Sequence, residues 1–106
     1  MKLGRLAAIA LAVAFLSMVV PAHAATIRIT MEDLVISPAE VSANVGDTIE
    51  WINKDVFAHT ATAKNSDFDV MLAPQKSSTF VLKKAGTIDY YCRYHPNMKA
   101  TLKVEP

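Results

Sequence analysis

From Thr26 onward the sequence alternates apolar and polar residues with a period of two, and no stretch of useful length carries the period of a helix. In TIRITM, Ile27, Ile29 and Met31 share one side while Thr26, Arg28 and Thr30 share the other. In KATLKV, Ala100, Leu102 and Val104 point one way and Lys99, Thr101 and Lys103 the opposite way. DTIEWIN sets Ile49 and Trp51 on one face, and STFVLK and TIDYYC are further β-favouring runs. Side chains of a strand alternate between its two faces, so this pattern demands sheets with one face dry and one wet. Turn-forming groups separate the runs: Ser37-Pro38, Asn44-Val45-Gly46-Asp47, Asn65-Ser66-Asp67, Pro74 and Lys84-Ala85-Gly86. AHTATAKNSDF is the least regular part and reads as a short strand entering a loop. Short strands punctuated by turns, with no repeat and no visible linker, predict one all-β domain, a sandwich or small barrel. Trp51 and Met31 fall on inward positions, and one of Tyr90 and Tyr91 must do so.

The segment before this pattern is different. Lys2 and Arg5 precede an apolar run from Leu6 to Val20, followed by Pro21 and the small-residue group Ala22-His23-Ala24. That order is the pattern of a secretory leader cut after Ala24. Fifteen residues, apolar but for Ser17, are short for a membrane span, which needs roughly 20. The expectation is therefore a leader over residues 1–24, a mature domain over residues 25–106, a periplasmic location and no stable membrane anchor. Of the 106 residues, 82 then remain; Lys2 and Arg5 leave with the leader, so nine basic residues face ten acidic ones. A near-neutral chain without charge runs offers nothing to nucleic acid or to an anionic membrane.

A mature domain of this size buries a modest core and often needs a staple. Its single cysteine, Cys92, cannot form an internal disulfide, and a lone thiol in an oxidising compartment needs burial or a metal to protect it. Cys92 lies in YYCRYHPNM, with His95 three residues on and Met98 three more. On a strand that spacing sends side chains to alternating faces, so the three converge only if the chain winds after Tyr91. Pro96 favours such a loop, because it fixes its own φ and biases His95 away from the helical region. The strand TIDYY would then end at Cys92, with KATLKV leading away as the second arm of a hairpin. Thiolate and thioether are soft donors that select copper, and two His with one Cys and a weak Met form the donor set of blue copper. With His23 gone, His59 is the one remaining histidine that can complete it.

CRYHPNM resembles the metal loop of the cupredoxins, and its short Cys-x-x-His-x-x-Met spacing looks like that of amicyanin. ISPAEVSANVGDTIEWINKD is similar to the cupredoxin strands preceding the first histidine, and STFVLKKAGTIDYYC to the run leading to the cysteine. The resemblance implies a Greek-key β-sandwich holding one copper, with His59, Cys92 and His95 equatorial and Met98 axial. It places Thr60 where the family often has a polar side chain that ties the two metal-binding segments together. Tyr94 stands where amicyanins tend to have proline, so its N–H is expected to reach the Cys92 sulfur. An apolar docking patch around His95 is expected from Phe57, Met71 and Pro96. The implied activity is one-electron transport by a monomer, not catalysis, with a dehydrogenase or a cytochrome as partner.

Other readings of the same residues remain open. Cys92 alone would be a buried structural thiol as readily as a ligand. A Cys–His nucleophile would need an oxyanion donor and an orienting acid, and neither is visible in the sequence. Met31 and Met71 read as packing residues, with Met71 alternatively near the mouth of the site. A copper carrier without rapid electron transfer and a metal-free sandwich are the two competing functions.

Overall fold

The computed structural model describes residues 23–106. The expected leader lies outside the described residues except for His23 and Ala24, which are exposed and carry no regular structure. The described residues hold nine strands: β1 Thr26–Glu32, β2 Val35–Ser37, β3 Glu40–Asn44, β4 Thr48–Asn53, β5 His59–Ala63, β6 Asp69–Leu72, β7 Ser77–Val81, β8 Gly86–Cys92 and β9 His95–Glu105. No helix among them is long and apolar enough to cross a membrane.

The strands form two sheets, one ordered β2-β1-β4-β7 and the other β3-β9-β8-β5-β6. The chain changes sheet after β2, β3, β4, β6 and β7, which gives the expected Greek-key sandwich. Two of the contacts are parallel, β1 with β4 and β3 with β9, and the others are antiparallel. Alternation fixes the faces as expected. Ile29 and Met31 of β1, Ile49 and Trp51 of β4, and Ala100, Leu102 and Val104 of β9 are buried, while Lys99 and Lys103 are exposed. A one-residue slip in any of these strands would turn its whole apolar set to water, so the pattern also sets the register.

The centre of the sandwich is aromatic. Trp51 packs 5.3 Å from Phe68 and 5.6 Å from Tyr90 between ring centroids, and Phe68 packs 5.2 Å from Phe80. Trp51 Nε1–H donates to the Tyr90 hydroxyl at 3.2 Å, so the buried polar ends satisfy each other. Burial pushes the Tyr90 phenol up to about 12, against the opposing pull of the Trp51 donor. Tyr90 is the inward member of the tyrosine pair, and Tyr91 is half-buried on the other face.

The end of the chain departs from the expected loop in one respect. The connection after Cys92 is only Arg93-Tyr94, and β9 begins at His95, four residues before KATLKV. Cys92 pairs with His95 while the neighbouring Tyr91 pairs with Lys99. The three residues Pro96, Asn97 and Met98 are therefore accommodated in a bulge of β9, not in a free loop. A bulge re-aims side chains that regular pleating would send apart. Met71 is also corrected as a packing residue: it is half exposed on the outer strand β6, whereas Met31 is fully buried.

Candidate metal centre

The centre lies where three strand ends of one sheet meet. His59 opens β5, Cys92 closes β8 and His95 opens β9. β8 is hydrogen-bonded on one side to β9 and on the other to β5, with Thr62 opposite Tyr91. That order places the cysteine between the two histidines. Cys92 Sγ lies 3.7 Å from His59 Nδ1 and 3.7 Å from His95 Nδ1, and all three atoms fall within 4.8 Å of one another. Metal bonds of about 2.3 Å to sulfur and about 2.0 Å to nitrogen, set 120° apart, would separate S and N by about 3.7 Å. The donor triangle therefore has the size of a trigonal metal site, and its mixed thiolate and imidazole chemistry suits copper. Met98, 2% exposed, lies in the bulge three residues past His95. Cys92 and His59 are fully buried and His95 half-buried, so His95 is the donor residue nearest to water.

The fold also gives the second ring nitrogen of His59 a partner. His59 Nε2 lies 2.7 Å from Asp55 Oδ2, a contact buried on both sides. A proton on Nε2 shared with the carboxylate leaves the Nδ1 lone pair facing Cys92, the tautomer that a metal requires. Burial alone would raise the Asp55 carboxyl, but hydrogen bonds from His59, Asp33 N–H and Leu34 N–H outweigh it and hold the group below its ordinary value. The Phe57 ring packs edge-on against His59 at 5.3 Å and lies 5.6 Å from His95, with the two imidazoles 5.2 Å apart. Phe57 thus braces both rings while remaining 43% exposed. Pro96 and Met71 are exposed, and the Tyr94 hydroxyl reaches Met71 Sδ at 3.9 Å.

Thr60 makes two contacts across the site. Its Oγ1 accepts from Arg93 N–H at 2.8 Å, which joins β5 to the turn after Cys92. Its N–H donates to Cys92 Sγ at 3.4 Å. Among the described residues this is the backbone donor that reaches the sulfur, and Tyr94 N–H, expected in that role, is not. The reason is register: β5 runs beside β8 and aims Thr60 N–H at Cys92, whereas Tyr94 already belongs to the turn leading away.

Two residues at this site escape reading from the sequence. Asp55 lies in Asn53-Lys54-Asp55, a group that looks like a solvent-facing turn; only its i, i+4 spacing to His59 hints at a contact. Asn53 is fully buried. Its Nδ2 donates to Phe57 O at 2.9 Å and lies 3.2 Å from both Leu72 O and Ala73 O, and its Oδ1 accepts from Asp55 N–H at 2.9 Å. It ties the segment carrying Asp55 and Phe57 to the end of β6.

Comparison with known proteins agrees with this geometry. A model of the cupredoxin-like domain matches residues 5–104. The plastocyanin of Synechococcus sp. (strain JA-2-3B'a(2-13)) is 35% identical over 103 residues, covering 80% of this chain and 74% of its own length. The amicyanin of Paracoccus denitrificans is 29% identical over 62% of this chain, and the chain spans 55% of that relative's length. The crystal structure of amicyanin from Paracoccus versutus superposes with a TM-score of 0.65 at 29% identity, covering 81% of this chain and 85% of that one. The chain belongs to the cupredoxin family.

Proposed function

We propose that the chain is a type 1 copper protein that carries single electrons between periplasmic redox partners. The observation that carries this reading is the buried triangle of Cys92 Sγ, His59 Nδ1 and His95 Nδ1, with 3.7 Å from sulfur to each nitrogen. His59, Cys92, His95 and Met98 would hold the copper. Bound there, copper supplies a one-electron couple between Cu(II) and Cu(I). The chain contributes a frame of sheet hydrogen bonds that keeps the donors in place, so little need rearrange as the charge changes. Thr60 N–H steadies the sulfur and Asp55 steadies His59. His95 is the half-buried donor, and the exposed side chains of Phe57, Met71 and Pro96 supply an apolar surface where a dehydrogenase or a cytochrome would dock. Residues 1–24 act as a leader that delivers residues 25–106 to the periplasm.

Copper titration tests the reading. Adding Cu(II) to the purified protein should give an intense blue colour that bleaches with ascorbate, with loss of the titratable Cys92 thiol. A colourless product with Cys92 still titratable would reject a type 1 site. The electron self-exchange rate then separates an electron carrier from a copper carrier: fast exchange with tightly held metal supports the former.

A further inference from the structure

The turn between β1 and β2 consists of Asp33, with φ 55°, and Leu34, with φ 65°. Positive φ at both central residues is what the type I′ form of a two-residue hairpin requires, and sequences ordinarily meet it with Asn-Gly or Asp-Gly. Asp33 conforms. Leu34 does not, because its Cβ crowds the following carbonyl in the left-handed region, where glycine would sit without strain. The leucine side chain therefore supplies something the turn itself does not need.

The backbone of this turn is held from outside. Asp55 Oδ1 accepts from Asp33 N–H at 2.8 Å, and Oδ2 accepts from Leu34 N–H at 3.3 Å. The same carboxylate binds His59, so the strained turn is tied to the centre. Strain of this kind persists where the surroundings over-determine it. The Leu34 side chain lines a cleft of about 360 Å³ together with Tyr94, His95, Pro96, Asn97 and Met98. It is 45% exposed and so adds little to the core, yet Met98 in the same cleft is only 2% exposed.

We infer that Leu34 is a plug that keeps water and small solutes from the Met98 thioether and from the inner side of His95. The inference goes beyond the proposed function, because it concerns access to side chains in the metal-free chain. With a metal held there, the plug would stop water from competing with the weak thioether donor.

The test uses metal-free protein and hydrogen peroxide. The peroxide transfers one oxygen atom to a thioether sulfur, leaving a sulfoxide and water. Peptide mass spectrometry reads each methionine separately, and exposure supplies internal controls: Met71 at 50% and Met31 at 0% bracket Met98. Leu34→Ala and Leu34→Gly should speed Met98 oxidation roughly tenfold, a modest change in access free energy, with Met71 unchanged and Met31 still protected. Leu34→Phe, which restores bulk, should bring the Met98 rate back toward that of the unmodified chain. Leu34→Gly should melt no lower than Leu34→Ala, since glycine adopts this φ freely. An unchanged Met98 rate in both small variants overturns the inference. So does Met31 accelerating alongside Met98, because that marks general loosening instead of an opened cleft.

Discussion

His59 works through both ring nitrogens, and its buried contact with Asp55 decides which of them faces the sulfur. Removing the carboxylate would leave the imidazole free to turn or change tautomer, and would strip acceptors from Asp33 N–H and Leu34 N–H. Asp55→Ala should therefore weaken copper binding by roughly 10- to 100-fold, the usual effect of losing the partner that orients a metal-bound histidine. Competition against a chelator measures it. Asp55→Asn keeps an acceptor oxygen and should fall between the two; affinity equal to the unmodified chain in Asp55→Ala would remove the positioning role. The four residues expected to hold copper are legible in the sequence because so few soft donors and histidines exist to choose from. Asp55 is not, because nothing local distinguishes a carboxylate that turns inward toward a histidine from one that faces water. The sulfur's hydrogen bond is hidden for a related reason: Thr60 N–H reaches Cys92 only through pairing between strands far apart in sequence.

At the scale of elements, the segment between β4 and β5 depends on one buried amide. Asn53 gathers Phe57 O, Leu72 O and Ala73 O around its Nδ2 while its Oδ1 receives Asp55 N–H. Asn53→Leu would take this partner from Phe57 O and Asp55 N–H, at about 1–3 kcal/mol for each unsatisfied group, while Ala73 O keeps Lys76 N–H. A loss of roughly 3 kcal/mol in urea unfolding is expected, with a matching drop in copper affinity because Phe57 no longer braces both imidazoles. Unchanged stability would mean that water or a rearranged backbone replaces the amide. The strands themselves differ in legibility. β1, β4, β8 and β9 announce themselves because one face meets the core and the other meets water. β6, Asp69–Leu72, is too short to establish a period and is not visible beforehand. The early start of β9 is equally hidden, since Pro96 and Asn97 read as loop residues and only the pairing of Cys92 with His95 brings them into the strand.

Over the whole molecule, the metal centre and the chain's entry into the sandwich sit at opposite ends of the sheets, since β8 meets β9 through Cys92 and His95 at one end and through Gly86 and Val104 at the other. At that far end Asp47 fastens the two sheets together. Its carboxylate accepts from Ala25 N–H and Asn44 N–H, each at 2.9 Å, just before β1 begins and where β3 ends. Its own N–H donates to Asn44 O, and its carbonyl accepts from Leu82 N–H after β7. The bonds from Ala25 and then Asn44 hold the Asp47 carboxyl below its ordinary value of 3.8, against the opposing effect of burial. A group whose folded value is depressed adds stability above its unfolded value and loses it as pH falls through the folded one. Asp47 should therefore support the fold at neutral pH and release that support in acid below 3.8. Asp47→Asn keeps one acceptor oxygen but turns an amide N–H toward a backbone N–H, so it should melt below the unmodified chain at pH 7. Thermal unfolding of both proteins from pH 7 to pH 2 should show the gap in Tm narrowing through the acid range, because the unmodified chain loses its carboxylate there and the variant has none to lose. A gap that stays constant across that range would show that the variant's defect is packing and not charge. Measured on metal-free protein, with the distant metal centre identical in both chains, the difference between the two reads the fastening of the sheets alone.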